Sequence, residues 1–208
     1  MDKKVVRSSY ESCLDATARL AAYATSKPLP KASEVSGRQD ILAADDLITF
    51  SIHARRLIDN IALYDFTNQM MVKCADGSSI SLWRVLGALI HHDELVILRC
   101  ATRLRMLKAM VESKTDDEYW KRVMPELTRE TYSEPVPPIV LFKSDKIART
   151  VIDLVELLKV FSQNILPAVI KKSCDEGLYL DDDPFEDVDV SEKAIQVLTQ
   201  LRYSKQAS

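Results

Sequence analysis

Arg84 and His91 stand in the stretch 81–94, SLWRVLGALIHHDE, with six residues between them that include Gly87 and Ala88. On a helix, Arg84, Ala88 and His91 fall at i, i+4 and i+7. They therefore share one face, with the two polar groups roughly 10 Å apart along the axis. A guanidinium can hold a phosphate in a forked, charge-assisted grip. An imidazole titrates near neutrality and can move a proton. The small residues between them would let a ligand or a second helix approach the backbone. Together these groups suit metal-free cleavage of RNA, in which one group activates the 2′-hydroxyl and cations stabilise the charge developing on phosphorus.

The neighbouring groups extend this chemistry. His92 adjoins His91 and is a candidate accessory residue, with capping of the helix C-terminus as its structural alternative. Asp93 and Glu94 offer carboxylates that could orient an imidazole. Arg56, beside Arg55, is a second candidate accessory residue. Arg99, Arg103 and Arg105 lie in a stretch, 99–111, that holds no acid, and they are the candidate RNA-binding cations. An ordinary solvated helix face is the structural alternative for that stretch. His53, one turn before Arg56 and Leu57, reads as a packed or surface histidine. No metal site and no cofactor is expected. His91, His92 and Asp93 are consecutive, so on a helix they point about 100° apart and cannot converge on one ion. No GxxxxGK[ST], GxGxxG or GxSxG motif occurs.

Composition constrains what must hold these residues. The 208 residues are 47% hydrophobic with only 4 glycines, which suits a helix-rich protein with a real core. A net charge of −3 supplies no global field for nucleic acid, so anion binding must rest on a local patch. The cysteines, Cys13, Cys74, Cys100 and Cys174, form no CxxC pair and read as reduced, mostly buried thiols of a cytoplasmic protein. No apolar run approaches the ~18 residues of a membrane span.

Helical composition marks residues 5–24. Prolines, serines and Gly37 then read as a connector over 26–37, and a long amphipathic pattern runs from Asp40 to about Met71. Asp76-Gly77 between apolar residues signals a hairpin, after which Ser79 or Ser81 is placed to cap the helix carrying Arg84. Short strands are expected near 71–81, 94–100 and 138–143. Residues 102–113 read as a helix or a continued strand pair. A long helix is expected from Asp145 to about Lys172, kinked at Pro167. Residues 181–192 carry seven acids and no base, which reads as a solvated loop before a short helix over 191–203. The expected class is mainly α with a small β-element. It divides into an N-terminal helix and loop (1–39), a helical domain (40–175) and an acidic loop with a C-terminal helix (176–208).

An Arg followed four to six residues later by His, near the end of a helix in a helical domain, resembles the signature of the HEPN (higher eukaryotes and prokaryotes nucleotide-binding) superfamily. RVLGALIH matches it with six intervening residues, and the long preceding helix with HARRLIDN resembles the first long helix of bacterial HEPN-like proteins. The resemblance spans about residues 40–175. It implies a HEPN-like helical bundle and a homodimer in which the Arg/His helices of two subunits meet at a composite cleft. It also implies a metal-independent endoribonuclease with Arg84 and His91 as catalytic residues, of the kind found in antiphage defence and toxin–antitoxin systems. Two departures are visible: Val85 stands where the family often has Asn or another polar residue, and strand-like segments flank the motif. Other family members are catalytically silent, which implies the alternative of a dimeric interaction or nucleotide-binding module with a protein partner.

Overall fold

The computed structural model describes residues 1–25, 34–98 and 138–180. They are mostly helical with a few short antiparallel strands, as the composition leads one to expect.

Two long helices form the base. Helix α1 (Lys3–Thr25) buries Val6, Tyr10, Cys13, Leu14, Thr17, Leu20 and Ala24, a three- and four-residue spacing that makes one continuous stripe. Helix α2 (Glu34–Asn60) answers with Ala43, Leu47, Phe50, Ala54 and Leu57, all buried. The helices run antiparallel. The Cys13 thiol donates to the Phe50 carbonyl (3.7 Å), Arg19 bonds Asp46 (2.7 Å) and the Tyr23 hydroxyl donates to Asp40 (2.7 Å), so rising numbers on α1 meet falling ones on α2.

α2 begins inside the expected connector and stops well short of the expected Met71. Ala62, with φ +52, turns the chain out of the helix, and the Leu63 amide closes the end by donating to the Ile58 carbonyl at 3.0 Å. A short helix α3 (Tyr64–Gln69) follows, then the hairpin of β1 (Met71–Lys73) and β2 (Ser79–Ser81). The hairpin turns at Asp76-Gly77, where Gly77 takes φ +85.

Helix α4 (Leu82–Ile90) leaves β2 directly and runs into β3 (His92–Leu98). The helix expected to reach His92 therefore ends at Ile90. His92 to Leu98 instead pair antiparallel with β4 (Ile139–Ser144), and the β-branched run in ELVIL favours that pairing over another helical turn. β4 is central, between β3 and β5 (Ile147–Asp153), and its Ile139, Val140, Leu141 and Phe142 are all buried. The first hairpin is attached to this sheet, because Cys74 bridges to Ile152 and the Ala75 amide donates to the Val151 carbonyl at 2.9 Å.

β5 corrects the helix expected from Asp145. Residues 147–153 carry Ile147, Thr150, Val151 and Ile152, β-branched side chains that favour a strand, and β4 offers them a partner. Helix α5 (Leu154–Val160) starts only afterwards, with the Asp153 carboxylate accepting from the Val155 amide at 2.7 Å. Where a kink is expected at Pro167, the chain takes a π turn over Phe161–Ile165 and then enters helix α6 (Leu166–Asp175) with the proline in its first turn. Phe161 in that turn is fully buried, edge-on to Phe50 of α2 at 4.9 Å. α1, α2, α4, the sheet and α5 thus share one apolar core.

Arg99, Arg103 and Arg105, Cys100, the acidic block 181–192 and the final helix expected over 191–203 lie outside the described residues. Among the described residues, no helix is long and apolar enough to cross a membrane.

Candidate functional site

α4 is placed by its apolar side and its cap. Leu82, Val85, Leu86 and Leu89 are fully buried, which fixes the rotation of the helix about its axis. Ser81 is the N-cap, as the sequence allowed. Its hydroxyl accepts from the Arg84 amide at 3.4 Å and donates to the Asn68 side chain at 2.9 Å, tying α4 to α3. With the apolar stripe turned inward, Arg84, Gly87, Ala88 and His91 face one open cleft of about 510 Å³. That volume lies within the range of roughly 300–1,000 Å³ typical of sites for small organic ligands.

The cleft has two further walls. Arg55 comes from α2, and the tip of the β4–β5 hairpin supplies Ser144, Asp145, Lys146 and Ile147. The tip is a tight two-residue turn, with Ser144 paired to Ile147 and the Ser144 hydroxyl accepting from the Lys146 amide at 3.3 Å. Arg55, Arg84 and Lys146 therefore surround the cleft against the single carboxylate of Asp145, a local excess of positive charge on a chain of net charge −3. Among the described residues, no carboxylate pairs with any of these three cations.

An aromatic stack supports the Arg55 wall. Its guanidinium lies 3.8 Å from the centre of the Trp83 ring, and Tyr64 meets the same ring edge-on at 4.9 Å. Gly87 makes room for the arrangement. A Cβ added there would stand 2.5 Å from Arg55 Nη1, so any side chain would displace the guanidinium.

Arg84 and His91, the residues singled out by spacing, line the same cleft. Arg84 is exposed, and His91 caps the C-terminus of α4, its amide donating to the Gly87 carbonyl at 3.1 Å. One of the carboxylates expected to orient an imidazole is engaged elsewhere. Glu94 bonds Arg149 at 2.7 Å, and among the described residues no hydrogen bond reaches the His91 ring. His92 lies on β3 with Nδ1 2.9 Å from the Leu89 carbonyl, the helix-end contact that was its structural alternative. Neither His92 nor Arg56 lines the cleft; the adjacent Arg55 does.

His53, two residues before Arg55, is half-buried, and its Nδ1 lies out of reach of water with no hydrogen-bond partner in the described structure. Burial, and then the charge of Arg56, lower its pKa from the usual imidazole value. Cys13 is wholly buried, and burial pushes its thiol far above the usual range; Cys74 is buried and Cys174 exposed. Among the described residues, no three histidines, cysteines or carboxylates gather as metal ligands would.

Sequence reasoning missed Asp145 and Lys146 because they were assigned to the start of a helix. The signal was present in IVLFKSDKIARTVI, where two apolar, β-branched stretches flank a short polar step, the pattern of a hairpin. No family model, curated protein or solved structure matches the chain.

Proposed function

We propose that the cleft binds the phosphodiester backbone of RNA and cleaves it without a metal ion, as a HEPN-type endoribonuclease would. The observation that carries this reading is the meeting of Arg84 and His91 in one concave site with Arg55 and Lys146, cations that no carboxylate neutralises among the described residues. In the proposed reaction the His91 imidazole takes the proton of a 2′-hydroxyl. The 2′-oxygen then bonds to phosphorus as the bond from phosphorus to the 5′-oxygen breaks, and the departing oxygen takes a proton from water. Arg84 stabilises the negative charge that accumulates on the phosphoryl oxygens. The products are a 2′,3′-cyclic phosphate and a 5′-hydroxyl end.

A homodimer that brings two α4 helices together, and a role in antiphage defence or a toxin–antitoxin pair, belong to this proposal through the resemblance of RVLGALIH to the family motif.

The test is incubation of purified protein with mixed end-labelled RNAs in EDTA, wild type beside His91→Ala and Arg84→Ala. Cleavage by the wild type alone, leaving cyclic phosphate ends, supports the reading. Equal cleavage by both variants overturns it. A second reading, a non-catalytic phosphate-binding module, is favoured by the absence of a described partner for the His91 ring and by the buried Val85 after Arg84. It expects RNA to be bound and left intact.

A further inference from the structure

We propose that Arg55 is the principal phosphate-gripping residue of the cleft, held ready by Trp83 and admitted by the missing side chain at Gly87. This rests on the reading that the cleft takes a phosphodiester, and it holds whether or not the phosphodiester is cleaved.

The three cations of the cleft differ in how they are held. Arg84 and Lys146 are exposed, with long side chains that lose rotamer freedom when they close on a ligand. Arg55 is half-buried, and its guanidinium already lies over the Trp83 ring, 3.8 Å from the centroid, with Tyr64 packed edge-on against the same ring at 4.9 Å. Stacking fixes the plane of the fork while leaving its N–H groups free to donate, so less freedom is lost per hydrogen bond formed.

Gly87 sets where the fork lies. Nη1 and Cζ of Arg55 are the neighbours a Cβ at this position would meet, at 2.5 and 3.6 Å. The guanidinium thus occupies the space a side chain would take, against the backbone of α4 and between Arg84 and His91 in sequence. Three cations facing one carboxylate repel each other, and an anion held among them relieves that repulsion. An oxygen-rich, doubly liganded anion such as a backbone phosphate fits a planar fork flanked by two exposed cations.

The experiment uses the full chain with Trp120→Phe, which leaves Trp83 as the sole tryptophan, and a single-stranded 2′-O-methyl RNA oligonucleotide that cannot be cleaved by attack of its own 2′-oxygen. Binding is followed by Trp83 emission and fluorescence anisotropy of the labelled oligonucleotide across a salt series. Arg55→Met keeps an apolar cover on Trp83 but removes the charge. It is expected to weaken binding about tenfold, as loss of a charge-assisted contact does, and to reduce the salt slope by about 0.7. Gly87→Ala keeps every charge; it is expected to shift Trp83 emission before RNA is added and to weaken binding to a similar degree. Arg55→Lys, which keeps charge but loses the flat fork, covers the case in which Gly87→Ala lowers the melting temperature. Unchanged affinity and slope in folded Arg55→Met, with binding lost in Arg84→Gln, would overturn the role of Arg55 and leave the cleft reading standing. Failure of the wild type to bind the oligonucleotide overturns both.

Discussion

Arg149 and Arg55 show two ways in which this fold treats an arginine. Arg149 on β5 reaches past the central strand to Glu94 on β3, with Nε 2.7 Å from the carboxylate and both side chains one-third exposed. Arg55 on α2 meets an aromatic ring instead, and it shares its cleft with Arg84 and Lys146. The first charge is spent within the scaffold. The second is oriented without being neutralised, because a π face attracts a cation yet leaves its hydrogen-bond donors unused. Pairing marks a structural arginine, and stacking in an open cleft marks one available to an anion.

The largest expected effects come from breaking the cleft side. Arg84→Ala and His91→Ala are each expected to lower EDTA-resistant RNA cleavage by about 100-fold or more, measured as initial rates on one labelled RNA. Charge reversal is next. Lys146→Glu, in the cleft, is expected to weaken RNA binding roughly tenfold, whereas Lys171→Glu at an exposed position of α6 leaves it within about twofold, read from anisotropy at fixed salt. Equal effects of the two substitutions would show general charge, rather than the cleft, to be what attracts RNA.

On the scaffold side, Ser81→Ala removes the cap that sets α4 and is expected to cost about 1 kcal/mol in denaturant unfolding. Arg149→Met is expected to cost less, at most about 1 kcal/mol, because its pair with Glu94 is partly solvated; RNA cleavage should be unchanged. A large loss of activity in that variant would erase the distinction between the two arginines.

The smallest expected effect is that of pH through His53. Its pKa is lower in the folded protein than in the unfolded chain, so as pH falls the unfolded chain binds the proton first. Stability is then lost as the pH drops through the ordinary imidazole range, and the loss stops once the folded state is protonated too. His53→Gln should flatten that part of the curve of unfolding midpoint against pH between about 7.5 and 5.

Much of this fold was legible locally. The stripe Leu82, Val85, Leu86 and Leu89 determined which side of α4 turns inward, and so which side carries Arg84 and His91. Asp76-Gly77 announced its hairpin and Ser81 its cap. These depend on backbone preferences and periodicity within a few residues, which a sequence states directly.

The tertiary structure decided the rest. α4 ends at Ile90 because His92 to Leu98 find a partner strand some 45 residues later in the chain. That same strand draws residues 147–153 out of the expected helix, and the turn between them brings Asp145 and Lys146 to the cleft. The choice of Arg55 over Arg56 has the same origin. Adjacent helical residues point about 100° apart, so the angle at which α2 crosses α4 determines which of two identical side chains meets Trp83 and which faces solvent. A sequence fixes the face each element can offer, whereas the opposing face is set by packing between segments far apart in the chain.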